Sequence, residues 1–587
     1  MKKYVDKVFS RHYNFVPSMK RSILFLALIF VFLLTGSAFA ITPAQEMSGE
    51  DRARQMQEKA EVLRQKIETK VKAPEIQQEP SEVPALPEAG EKTLIKQINV
   101  TGVTFLLETS IQEIVLQYQG KELSLRDMQK VADLITDAYR QEGYITSRAY
   151  LPPQKIANGI LEIRVVEGLM GELSISGNRY FRTAVFKRKM SLIKGEAFDY
   201  NKLRANLSKI NQYPDRSARA VLVPGKEAGT TDVSLEVKDN LPIHVSFTWD
   251  NFGSRYIEKN RYQAILTHNN FLGFDDSLTL QYQVADADAY RLTSLRYLYP
   301  VGDNTEIGFF AARTKLELGR EFEDVMARGK SRLYSLYVTQ DLIAKEKVSL
   351  SMRLGYDYKD IINFQSGSIS SRDLMRVVKA SFDLDVSDAH GRTIVDNEIN
   401  FGIPDIMGGL SAIDSRASRA GSGGKFVKDT LTILRLQKMP FSSNLLWKSQ
   451  MQFASTVLTA AEQFQLGGIV NLRGYPPAEL VGDNGYTTTF EWSFPPYLIS
   501  KNVQVPFSKA KLYDALRFVV FYDWGHVTLR NPQAGEEDKE TLADIGCGIR
   551  INLPENFSVR FDIGWPLRQT PSDNDHAHPW IQITKEF

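Results

Sequence analysis

Arg473 sits in Glu462-Gln463-Phe464-Gln465-Leu466-Gly467-Gly468-Ile469-Val470-Asn471-Leu472-Arg473-Gly474-Tyr475-Pro476, ahead of Gly482-Asp483 and the strand-like run Tyr486 to Phe494. The paired glycines and Gly474 admit backbone conformations closed to other residues, so the segment reads as a loop of fixed shape. A guanidinium is a rigid, permanently charged fork that is useful only beside a carboxylate. Phe521-Tyr522-Asp523-Trp524-Gly525 offers one. By strand parity Phe521, Asp523 and Gly525 share a face, leaving Val520, Tyr522 and Trp524 for the other. The expected pairing is Arg473 with Asp523.

Other chemistry is thin. His-Glu-x-x-His, Gly-x-Ser-x-Gly and Gly-x4-Gly-Lys-Ser/Thr do not occur, so the common zincin, hydrolase and nucleotide-binding signatures are missing. No catalytic residue, cofactor or metal site is assigned. Asp573, Asp575, His576 and His578 form the nearest thing to a metal cluster, but no further ligand follows at structural-site spacing, and they read as a solvated hairpin loop. Asp383 and Asp385 lie along one strand face and read as lining of a wet interior. A formal net charge of +2 excludes the broad electropositive field that nucleic-acid binding needs. The single cysteine, Cys547, excludes an intramolecular disulfide framework and reads as a strand residue.

The elements that must position the arginine and the carboxylate begin with a leader. Lys2, Lys3, Lys7, Arg11, Lys20 and Arg21 precede the apolar run Ile23 to Leu34 and then Ala38-Phe39-Ala40, the pattern of a cleaved signal peptide over 1–40. The run, about 12 residues, is short of the roughly 20 a membrane helix needs. Within 41–71, Ala53, Met56, Ala60, Leu63 and Ile67 are spaced 3, 4, 3, 4, which predicts a helix with one narrow apolar seam. Pro74, Pro80, Pro84 and Pro87 among Glu and Gln mark 72–93 as a linker that tethers this helix.

Two α+β modules of about 70 residues each follow, 94–168 and 169–240, enough for one small core apiece. The first is read from a strand at Ile95 to Val100, a helix at Leu125 to Tyr139 and a strand at Ile160 to Val166. The second is read from Leu173 to Ser176, a helix around Phe198 to Ile210, and strands at Ala218 to Val223 and Val233 to Val237. From 241 to 587 the period becomes two. Ile243, Val245, Phe247 and Trp249 alternate with His244, Ser246, Thr248 and Asp250, and the pattern recurs at Leu278 to Val284, Val348 to Tyr358, Val378 to Val386 and Phe557 to Trp565. Alternation alone also suits a soluble sandwich. Export, apolar series of up to about 10 residues and flanking Tyr and Trp favour membrane strands, whose backbone groups only a closed barrel can satisfy. The fold expected is a transmembrane β-barrel of about 16 antiparallel strands carrying an α+β arm.

Leu472-Arg473-Gly474-Tyr475 resembles the loop-tip motif of the two-partner secretion transporters (TpsB), in the superfamily that includes the barrel-assembly protein BamA. Phe521 to Gly525 resembles that superfamily's Phe-x-Asp-x-Gly strand motif, and the flanking Gln-Leu-Gly-Gly and Gly-Asp-x-Gly-Tyr fit as well. Gly143 to Gln154 is similar to the first POTRA domain of TpsB proteins. Asp250 to Gly253 and Asn270 to Asp276 are similar to turns around their first barrel strands, and Asp414 to Gly421 to an outer loop.

The resemblance implies that the modules are periplasmic POTRA domains, that the 41–71 helix plugs the pore, and that Arg473 contacts Asp523 inside the barrel. It implies an outer-membrane transporter that takes an unfolded exoprotein partner, of adhesin or haemolysin type, from POTRA domains to the cell surface without nucleotide. Phe587 stands as the terminal signal for the barrel-assembly machinery, with Lys585 where that signal usually has an apolar residue. The rival expectations are a barrel-assembly or translocation chaperone of BamA type, and a passive porin or barrel enzyme.

Overall fold

The computed structural model describes residues 75–78, 92–211, 213, 215–319, 324, 326–345, 347–506, 508, 510–532 and 537–587. The leader expected at 1–40, the helix expected at 41–71 and most of the linker expected at 72–93 lie outside the described residues. Among those described, no helix is long and apolar enough to cross a membrane.

In the first module, Ser124 caps the helix Leu125–Gln141, accepting from Asp127 N while the Asp127 carboxylate accepts from Ser124 N. This reciprocal arrangement satisfies two otherwise unpaired donors at the helix start. The helix turns Val131, Ile135 and Tyr139 onto Leu161 and Ile163 of a sheet ordered Gln97–Thr101, Ile160–Val166, Arg148–Tyr150. The single strand expected over Ile95 to Val100 is two. Lys96 N and Gln97 N both donate to Gly159 C=O (2.8 and 3.2 Å), which bends the chain there, so that Thr93–Ile95 pairs with Lys121–Leu123 instead.

Glu167 closes this module at its join to the next. Its carboxylate accepts from Thr104 N (2.6 Å), Phe105 N (2.7 Å), Tyr139 Oη (2.6 Å) and Thr104 Oγ1. Partial burial opposes the charge, but these donors outweigh it and hold the carboxyl below its ordinary range. A depressed folded pKa contributes stability that is present above the unfolded value and lost as pH falls through the folded one. Glu167→Ala should therefore speed amide exchange at Thr104 and Phe105 by about tenfold, as expected for a charge-assisted hydrogen bond worth about 1.5 kcal/mol. At pH 7 hydrogen-exchange mass spectrometry of the whole protein reads this directly, and the difference from wild type should shrink in acid.

The second module packs Phe186, Phe198, Leu203 and Leu207, from and beside the helices Thr183–Lys189 and Tyr200–Asn211, on a sheet of Leu169–Ser176, Thr230–Asp239 and Arg216–Pro224. The linker is not wholly detached from this sheet: Ile76–Gln78 adds to its edge, parallel to Ala220–Leu222, with Ala220 N donating to Glu75 C=O (3.2 Å). Beside it the Asn211 side chain serves both backbone groups of Ala218, donating to its C=O (3.0 Å) and accepting from its N (2.6 Å). An exposed strand edge is thereby covered.

Sixteen antiparallel strands, from Ile243–Asp250 to His578–Glu586, form a closed barrel. Closure pairs the first strand with the last, from Ser246↔Glu586 to Asp250↔Gln582. Their lengths run from 8 residues to the 20 of Ser368–Ser387, and a membrane strand needs about 9–11. The arm is clamped to one end of the barrel. Arg216, stacked on Tyr213 and Phe181, pairs with Asp275 of the turn 269–276, and Lys189 Nζ lies 2.7 Å from the same carboxylate. Asp215 receives His244 Nε2 (2.5 Å) and Asn269 Nδ2 (2.8 Å), and Lys209 Nζ donates to Asn304 Oδ1 (3.0 Å).

Candidate functional site

The connection 455–483 leaves the far end of the barrel and turns inward. A short hairpin, Phe464–Leu466 against Leu480–Gly482, frames its descending tip. Gly467 and Gly468 both have positive φ (114° and 79°), and a Cβ on Gly467 would lie 2.1 Å from Pro476 C=O, so this turn requires glycine. Asn471 ties it from within, accepting from Gly467 N (3.0 Å) and donating to Gln465 C=O (2.8 Å). Leu472 and Tyr475 are fully buried with Phe464, Leu466, Val527 and Leu542. Tyr475 Oη donates to Ala543 C=O (3.2 Å) and accepts from Arg568 N (3.3 Å).

That frame presents Arg473 to the barrel wall. Its Nε and Nη2 fork onto the two oxygens of Asp523 (2.8 and 3.1 Å), and its Nη1 donates to Glu491 Oε2 (2.6 Å). Asp562 lies 3.8 Å from Nη1 and is held in turn by Arg550 (2.7 Å) and Arg560 (2.8 Å). The guanidinium is stacked 3.3 Å from the centre of the Phe521 ring. Trp580 Nε1, on the last strand, donates to Arg473 C=O (2.7 Å). Phe521, Asp523 and Gly525 are buried on the inner face, while Val520 and Tyr522 are exposed on the outer one. The tip thus crosses to strands Asn484–Phe494, Leu516–Thr528, Phe557–Pro566 and His578–Glu586.

Glycines let the tip and the wall approach closely. A Cβ on Gly564 would stand 2.5 Å from Arg473 C, one on Gly474 2.5 Å from Asp544 Cβ, and one on Gly525 2.7 Å from Leu472 Cδ1. At Gly546 a Cβ would strike the Phe521 ring at 2.1 Å. The wall beneath the tip has no room for side chains at these points.

A second anchor holds the other limb of the loop, and sequence reasoning missed it. Glu462, fully buried, receives Lys359 Nζ (2.6 Å) and Lys428 Nζ, from strands on a different part of the wall, and its C=O accepts from Gln452 Nε2 (3.0 Å). Asp483, at the exit of the loop, accepts from Arg419 Nη1 (2.8 Å), Leu458 N (2.7 Å) and Arg530 N (2.7 Å). Both stand in motifs visible in the sequence, which names no partner for either. Strand parity already sets Asp562 on the polar face and places Glu491 there by the same rule; which cation each meets depends on the register of strands far apart in sequence.

The remaining candidates are placed as follows. Asp573, Asp575 and His578 offer ligand atoms within 4.8 Å of one another, and His578 Nε2 lies 3.0 Å from Asp573 as a hydrogen-bonded pair. Cys547 is exposed on the strand Lys539–Leu553. The Phe587 ring meets Phe247 edge-on at 6.2 Å, and its N donates to Val245 C=O (2.8 Å). Lys585 turns its ammonium to Glu555 C=O and lies 5.0 Å from the Phe587 ring centre.

Residues 229–551 match the family described as haemolysin secretion/activation protein ShlB/FhaC/HecB, and residues 93–168 match the ShlB-type POTRA domain. The chain belongs to the haemolysin secretion/activation family. Its members are the TpsB transporters of two-partner secretion, so this is an outer-membrane protein transporter with its POTRA arm in the periplasm.

Among relatives, the heme/hemopexin transporter protein HuxB of Haemophilus influenzae is 22% identical over 493 residues, 81% of this chain and 84% of that one. The hemolysin transporter protein ShlB of Serratia marcescens is 23% identical over 461 residues, 75% and 80% of the two chains. The solved structure of CdiB from Escherichia coli superposes with a TM-score of 0.69 at 18% identity, covering 93% of this chain and all of that one. BamA from Haemophilus ducreyi lacking POTRA domains 1-3 gives a TM-score of 0.52 at 14% identity over 84% of this chain. These last two likenesses concern the fold. In a TpsB transporter the clamped turns 269–276 and 301–304 mark the periplasmic end, and 455–483 enters the lumen from outside.

Proposed function

We propose that this transporter passes one unfolded exoprotein through its barrel, driven without nucleotide, and that the loop tip at Arg473 holds the wall in the transport-competent shape. The observation that carries the reading is the buried Arg473 fork, which ties the loop to strands from Asn484–Phe494 to the closing strand. Charge-assisted bidentate bonds in a site shielded from water are strong and geometrically demanding, as a positioning role requires. No catalytic step is assigned to the tip: Arg473 is spent on Asp523 and Glu491.

The arm receives the exoprotein by strand addition, for which edge strands such as Gln97–Thr101 and Leu169–Ser176 supply backbone donors and acceptors. In this division 94–168 and 169–240 are the POTRA domains, 241–587 the barrel, 1–40 the leader, 41–71 the plug helix, and 72–93 its linker, of which Ile76–Gln78 docks on the second domain's sheet. Phe587 is the residue the barrel-assembly machinery reads. Deleting the chain should remove one exoprotein from the culture medium while the other outer-membrane barrels stay at their normal level. General loss of barrels would indicate an assembly factor, and strong conductance of small ions by the purified wild-type protein would indicate a porin.

A further inference from the structure

Six of the seven periplasmic connections of the barrel are short: 269–276, 301–304, 345–347, 388–390, 440–442 and 554–556. The seventh, 495–515, is far longer and is folded against its neighbours. Tyr497 Oη donates to Phe441 C=O (3.0 Å), Arg517 Nη1 donates to Ser442 C=O (3.0 Å), and Ser508 Oγ donates to Glu555 (2.9 Å). This platform turns apolar side chains away from the protein. Leu498 is 102% exposed and Phe441 85%, with Tyr497, Val503 and Met439 also exposed beside them.

Phe441 is strained as well as exposed. It and Ser442 have φ of 57° and 59°, at the tip of the turn 440–442. Such a turn ordinarily takes Asn-Gly, and a phenylalanine in the left-handed region is disfavoured. A bulky apolar residue kept in a costly conformation and pointed outward implies something apolar to receive it.

Two features identify the recipient. The patch continues the lipid-facing aromatics of the barrel wall: Trp492 lies 5.0 Å from Phe494, which stacks on Tyr497 at 6.0 Å and 7° and meets Phe518 at 6.1 Å. Exposed cations, Lys438, Lys501 and Lys511, share this rim with Arg517; the exposed acids at this end include Asp514, Glu555, Glu586 and Asp388, the last ion-paired with Arg435. Apolar and aromatic residues edged by cations match an acyl layer with phosphates above it.

We propose that the connection 495–515, together with Phe441, is a foot that inserts into the periplasmic leaflet of the outer membrane, with Leu498 and Phe441 among acyl chains and the surrounding cations on lipid phosphates.

The test uses the full-length protein in phospholipid nanodiscs, with Cys547→Ser to remove the native thiol and Leu498→Cys carrying an environment-sensitive fluorophore. Heat-modifiable migration of the barrel verifies that the variant is folded. Brominated phospholipid should quench the label, aqueous iodide should not, and a Phe441→Cys variant should behave alike. Quenching by iodide with no response to brominated lipid would overturn the proposal. So would protection from iodide that appears only when exoprotein is added, or only with two transporters per disc, since these outcomes assign the patch to a protein partner or to a second copy.

Discussion

Arg473→Ala should leave a barrel that inserts at normal abundance and secretes little or no exoprotein. Three carboxylates, Asp523, Glu491 and Asp562, converge on that guanidinium from three wall strands, and all four side chains are at most about 5% exposed. Removing the cation strands charge in a site that water does not solvate, at a cost of about 3–5 kcal/mol. The barrel itself is held by its continuous ladder of strands, so the expected casualty is the seat of the loop tip. Arg473→Lys should rescue only in part, because an ammonium cannot fork onto Asp523 while also reaching Glu491. Exoprotein in the medium, divided by heat-modifiable barrel in the outer membrane, measures the effect for both variants. Wild-type secretion by Arg473→Ala would remove the loop tip from the mechanism.

Gly564→Ala should produce a comparable defect with no change of charge. The added methyl would lie 2.5 Å from Arg473 C and 2.6 Å from Gly474 N, and both are backbone atoms that cannot rotate away. Either the strand Phe557–Pro566 or the tip must shift, and overpacking of this kind costs about 1–3 kcal/mol. The tip is held to the wall by side-chain bonds and packing rather than by a strand ladder, so it is the element that moves. Gly302→Ala, where a Cβ meets nothing within 4 Å, is the matched control and should secrete normally. If Gly564→Ala secreted as well as Gly302→Ala, close seating of the loop on the wall would be irrelevant to transport. Limited proteolysis of the loop in intact cells gives an independent reading, with faster cleavage expected in Gly564→Ala.

How much of this was legible in advance differs between barrel and site. Alternation from Ile243 onward stated that one face of each strand is apolar, and export with strand length favoured a membrane barrel over a sandwich. The arm was read less well. Pro74 to Pro87 suggested a detached linker, but Ile76–Gln78 pairs with the sheet at Ala220–Leu222. Pairing of that kind answers to an available edge elsewhere in the chain, which local composition does not encode. The helices Glu108–Leu116 and Thr183–Lys189 have no counterpart in the sequence reading, the second being a bare seven residues whose buried side chains, Val185 and Phe186, are few for periodicity to register.

Residue type and parity by themselves determined that Arg473 needs an anion, that Asp523 shares a face with Phe521 and Gly525, and that the chain from 241 onward alternates as barrel strands do. Tertiary structure alone decided that Glu491, Asp562 and Trp580 join that arginine, that Glu462 is fixed by Lys359 and Lys428, and that Gly564 makes room for the tip while Gly546 makes room for the Phe521 ring beneath it. The physical reason is register. A strand's own period of two states which face a residue occupies, but which residues meet across a lumen follows from the stagger accumulated around sixteen paired strands and from the path of a loop through them.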